Sequence, residues 1–84
     1  MSTKIHVGNL PAHVTDDDLL RRFCRFGAVS FAAVMKDELS GNSRGYGLVE
    51  MESSDGAEQA IKWLHFSSFE GQVITVSAFR SSPS

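Results

Sequence analysis

"SRGYGLVE", residues 43–50, decides how this chain of 84 residues is read. Taken as a strand, its side chains alternate between two faces, with Arg44, Tyr46, Leu48 and Glu50 on one and Gly45, Gly47, Val49 and the following Met51 on the other. The second set is small or apolar and suits a face against which a helix packs closely. The first set carries a cation, a ring, an aliphatic side chain and a carboxylate, and suits a face left open. One strand therefore serves a core and a surface at once.

Upstream, "KIHV" at 4–7 alternates in the same way, Ile5 and Val7 inward and Lys4 and His6 outward, before "GNLPAHV" breaks the strand. Thr15 followed by three aspartates marks a helix start, because Thr15 can cap and Asp18 stands at the capping-box position. Their charges also favour the positive end of the helix dipole. Leu19, Phe23 and Phe26 give this helix its apolar face and Gly27 ends it. "AVSFAAVMK" at 28–36 is a second strand, with Ala32 and Val34 inward and Phe31, Ala33 and Met35 outward, joined by "DELSGNS" to the strand quoted above.

Downstream, "SSDGAEQAIKWL" returns to helical period, with Ser54 as its cap and Ala57, Ala60, Ile61 and Leu64 on one side. "QVITVSA" at 72–78 is a fourth strand that turns Ile74 and Val76 inward, and the rest is a short polar tail. The order strand, helix, strand, strand, helix, strand is the ferredoxin-like βαββαβ plan of the α+β class. Right-handed crossovers place both helices on one face of a four-stranded antiparallel sheet. The expectation is one domain over 1–84, with a core from about 4 to 79 and a tail at 80–84.

Composition bounds the chemistry. A hydrophobic share of 42% supports one compact core. Ten acidic residues against eight basic give a net charge of −2, which excludes a general polyanion binder held by charge alone. Cys24 is the sole cysteine, so neither an intrachain disulfide nor a multi-cysteine metal cluster is expected, and it reads as a small buried apolar residue of a protein in a reducing compartment. No stretch is apolar enough for a signal or a membrane span, so a cytoplasmic monomer without membrane contact is expected.

His6, His13 and His65 fall in three separate segments, which predicts no metal, no cofactor and no enzyme. Arg21, Arg22 and Arg25 read as a solvated face of the first helix rather than a second nucleic-acid site, and Trp63 as a packing residue at the core margin.

"RGYGLVEM", residues 44–51, resembles the RNP1 segment of RNA recognition motif (RRM) domains, matching at Arg44, Gly45, Tyr46, Gly47 and Val49 and departing at Leu48 and Met51. "IHVGNL", residues 5–10, resembles the companion RNP2 segment, with His6 at its aromatic position and Asn9 and Leu10 in pattern. The resemblance runs from about Lys4 to Phe79. The chain's length, the loop "SGNSRGYG" and the ending "LVEM" are similar to small single-domain bacterial RNA-binding proteins.

That resemblance implies two central strands forming a platform on which bases of single-stranded RNA stack. Its stacking positions fall on Tyr46, His6 and Leu48, with Arg44, Lys4, Asn9, Phe79 and Arg80 around them. Each base stacked on an aromatic ring is worth roughly 1–3 kcal/mol, so one full ring, one imidazole and one leucine imply modest affinity and loose sequence preference. The outward Phe31, Ala33, Met35 and Leu48 leave a second reading open, a protein–protein interaction module that uses an apolar sheet face. Other users of this plan fit less well: the first loop lacks the arginine of acylphosphatases, and the paired cysteines of copper carriers are absent.

Overall fold

Period-two and period-3.6 hydrophobic patterns alternate along the chain, and each buries its apolar side against the other kind. The computed structural model describes residues 3–36, 39–41 and 43–78. The elements are β1 (Thr3–Gly8), α1 (Asp16–Phe23) with a 3-10 turn (Cys24–Phe26), β2 (Val29–Lys36), β3 (Ser43–Met51), α2 (Ser54–Leu64), β4 (Ser68–Phe69), β5 (Gln72–Val73) and β6 (Thr75–Ala78). An antiparallel sheet in the order β2-β3-β1-β6 carries the fold, and β4 and β5 form a separate hairpin. This is the ferredoxin-like plan that the sequence predicts.

Local chemistry sets the helix starts. At α1 the Thr15 side chain accepts from the Asp18 N–H while the Asp18 carboxylate accepts from the Thr15 N–H at 3.0 Å, a complete capping box. At α2 the cap is Ser53, whose hydroxyl accepts from the Gly56 N–H at 3.0 Å. The expected Ser54 is already the first helical residue. Ser53 wins because its extended backbone lets its side chain reach back over the first turn.

Ile5, Val7, Val34, Val49, Met51 and Val76 from the sheet meet Leu19, Phe23, Ala57, Ala60 and Leu64 from the helices in one buried cluster. Full burial of such a side chain is worth about 1.5–3 kcal/mol. Gly47 brings the layers together: a Cβ there would lie 2.7 Å from Leu19 Cδ1 and 2.9 Å from the Ala33 carbonyl oxygen.

Three further expectations are corrected. "QVITVSA" is not one strand, because Glu70 and Gly71 both have positive φ, 51° and 88°, and close a two-residue hairpin that pairs Ser68 with Val73 and Phe69 with Gln72. Ile74 still turns into the core, and only β6 joins the main sheet. Cys24 is exposed, its Sγ 3.3 Å from the Arg21 carbonyl at the start of the 3-10 turn. Trp63 is 64% exposed, off the stripe of Ala57, Ala60 and Leu64, with its indole N–H donating to Gln59.

Candidate functional site

Register arranges the face opposite the helices, since residues directly opposite on neighbouring strands share a face. One row crosses the whole sheet as Ala33, Leu48, His6 and Ser77. On one side of it lies a row of Tyr46, Gly8 and Thr75, and on the other a row of Phe31, Glu50 and Lys4. His6 and Tyr46 are diagonal neighbours on β1 and β3. Their ring centroids are 5.4 Å apart, with planes inclined by 25°.

Gly8 keeps this part of the face low. A Cβ on it would lie 2.5 Å from Thr75 Oγ1 and 3.5 Å from His6 Cε1, so a side chain there would collide with the surroundings of the ring pair. Gly8, Thr75 and Ser77 were not singled out in the sequence. Their signal lay in continuing the alternation of β1 and β6 to the strand ends and pairing them.

The structure brings Tyr46, His6, Leu48 and Lys4 onto one face, each part or fully exposed. The backbone of Arg44 lies in β3. Phe79 and Arg80 lie outside the described residues. Phe31, read as outward, does sit opposite Glu50 and is 49% exposed.

Two residues of the quoted motifs brace the frame. Asn9 adopts a left-handed backbone, φ 59°, which asparagine tolerates better than most residues. Its side-chain amide donates to the Val73 carbonyl at 2.6 Å, and its own carbonyl accepts from Gln72 Nε2 at 3.0 Å. Gly45, with φ 83°, offers its carbonyl to the Leu10 N–H at 2.8 Å. A Cβ at Gly45 would find nothing closer than 3.9 Å, so backbone conformation rather than close packing calls for glycine there.

Charge is divided between the layers. On the open face Lys4 stands directly opposite Glu50. The aspartates belong to the helix layer, where the Asp18 carboxyl is held below the usual aspartate range. The Thr15 backbone N–H is the main cause, outweighing desolvation, with help from the Thr15 hydroxyl and the charges of Arg21 and His13. Arg21, Arg22 and Arg25 line a shallow cleft together with Asp18, Phe69 and Glu70. The Arg22 guanidinium lies 4.5 Å over the Phe69 ring, so this cluster already faces carboxylates and a ring of its own protein. Among the described residues no group of histidine, cysteine, aspartate or glutamate could hold a metal ion, and no helix is long and apolar enough to cross a membrane.

A family model described as RNA recognition motif matches residues 5–75. Glycine-rich RNA-binding protein 1 of Mycosarcoma maydis is 37% identical over 83 residues, covering 99% of this chain and 47% of that protein. RbpE of Nostoc sp. is 41% identical over 76 residues, covering 90% of this chain and 77% of its own. The crystal structure of RNA Binding Protein PG1 superposes with a TM-score of 0.91 at 38% identity, over 98% of this chain and 99% of that one. The chain spans about half the length, or less, of several curated relatives, the Mycosarcoma protein among them. Strand order, the paired motif strands at the sheet centre and the match over most of its length agree, and the chain belongs to the RNA recognition motif family, whose domains are non-enzymatic binding modules.

Proposed function

We propose that this chain binds single-stranded RNA on the open face of its sheet, with Tyr46 as the principal stacking residue and His6 beside it. The observation that carries this reading is the pair of rings on adjacent central strands, 5.4 Å apart. Flat aromatic rings on a solvated sheet suit bases of any sequence, because every base has a π-face. Relatives at 37% and 38% identity that bear RNA-binding names support the same assignment.

Leu48 borders the rings and gives a base an apolar contact without a ring. That makes affinity modest and sequence preference loose. Lys4 supplies a contact to phosphate on the same face, the family resemblance assigns further RNA contacts to Arg44, Phe79 and Arg80, and Asn9 stands at the rim. The same reading has the protein act as a monomer in the cytoplasm.

A second reading rests on the apolar half of the face, where Ala33 lies directly opposite Leu48 and Phe31 is next along the strand face. Such a surface also suits a protein partner. Titration of short oligo-U, oligo-A and oligo-G into the labelled protein, followed by amide NMR, separates the two. RNA binding shifts His6, Gly8, Tyr46, Leu48 and Ser77 with at least one oligonucleotide. If none of the three moves the sheet, the protein-partner reading takes its place.

A further inference from the structure

A shallow groove lies between α1 and β2, the outermost strand at one edge of the sheet. Its apolar lining is Leu20, Val29, Phe31 and Ala32, and Asp16 and Asp17 border it. Leu20 is 39% and Phe31 49% exposed, so a helix residue and a strand residue present hydrophobic surface to the same hollow. Isolated exposed apolar side chains are ordinary, but a contiguous pair facing one groove is a candidate contact surface.

The carboxylates indicate what kind of partner fits. Asp16 is committed, since its Oδ1 accepts from the Val34 N–H at 2.8 Å and covers part of the strand edge. A strand cannot pair there without displacing it. Asp17 is exposed, and its side chain makes no hydrogen bond or ion pair among the described residues. Phosphates would be repelled from these acids, whereas a cation would be attracted.

We propose that this groove docks a segment of another protein in which one leucine-sized side chain is flanked by lysine or arginine. The apolar side chain sits between Leu20 and Phe31, and a neighbouring cation meets Asp17. Asp17 and Leu20 lie on α1, away from the rings of His6 and Tyr46, whereas Phe31 borders both the groove and the open face, so the helix residues are the ones that separate this docking from RNA binding.

The test uses two synthetic peptides, one with a leucine flanked on both sides by lysines and one with glutamates in place of the lysines, titrated into the intact chain by amide NMR. The lysine peptide is expected to shift Asp17, Leu20 and Phe31 saturably, and the glutamate peptide to leave them unmoved. Asp17→Lys, Leu20→Glu and Phe31→Ser, all at exposed positions, should each weaken the lysine peptide about tenfold or more, and in Asp17→Lys and Leu20→Glu, on the helix, oligo-U binding should stay within about twofold. Circular dichroism confirms that each variant is folded. Absent or non-saturating shifts, or peptide binding that survives all three substitutions, overturn the proposal. Loss of oligo-U affinity in Phe31→Ser with no effect on the peptide also overturns it, because the ring would then lie on the RNA path.

Discussion

At the scale of single residues, the face is defined by what stands at three positions. His6 and Tyr46 provide rings, and Leu48, directly opposite His6, does not. Leu48 is part exposed, so Leu48→Phe should leave the fold intact and add a stacking surface. The expected gain is about 1–3 kcal/mol, roughly ten- to a hundredfold tighter oligo-U binding by fluorescence anisotropy. Unchanged affinity would mean that no base reaches this position. A second residue-scale expectation concerns acid. Because the Asp18 carboxyl is held below its ordinary value in the fold, its contribution is present above the unfolded aspartate range of about 4 and is lost as pH falls through the lower folded value. Thermal melting of wild type should therefore weaken below about pH 4, and the acid-induced drop should be smaller in Asp18→Asn.

Alternation made Tyr46, Leu48 and His6 legible in the sequence, because a strand residue's face follows from its neighbours alone. Asn9 was not legible in the same way. Its partner Val73 is 64 residues away, and no local pattern shows that its amide is used to tie the end of β1 to β5. A motif position can thus hold the frame that presents the contact residues.

Among the elements, the contact of β3 with α1 depends on Gly47. Gly47→Ala would place a methyl against Leu19 Cδ1, a side-chain end that has to turn aside within the core, and against the Ala33 backbone carbonyl, which moves only with its strand. The expected cost is about 1–3 kcal/mol in urea unfolding. Both edges of the sheet have an N–H covered by a side chain: Asp16 accepts from Val34 on β2, and His65 Nδ1 accepts from Val76 on β6 at 2.9 Å. Sheet edges with uncovered N–H groups invite pairing with other chains. Asp16→Ala together with His65→Ala should lower the unfolding midpoint and give concentration-dependent association in sedimentation. A monomer of unchanged stability would show that these caps are incidental. The hairpin that divides "QVITVSA" escaped the sequence reading because glutamate is an uncommon choice for a left-handed turn residue, whereas Gly71 alone signalled only a turn.

On the scale of the whole molecule, the net charge of −2 does not describe the sheet face, where Lys4 and Glu50 stand opposite each other and offset one another. Asp16, Asp17 and Asp18 serve the start of α1, and the arginines of α1 line a cleft with Asp18 and Glu70. Neither group belongs to the sheet face. Composition alone could not show this, since sorting appears only once the crossovers put both helices on one side. The central claim is that RNA binds this face and leans on one tyrosine. Its most direct test is oligo-U affinity of wild type against Tyr46→Ala, with folding checked by circular dichroism. The structure predicts a loss of about 1–3 kcal/mol, or roughly ten- to a hundredfold, in a variant that remains folded. A folded Tyr46→Ala that binds oligo-U as tightly as wild type would contradict the account.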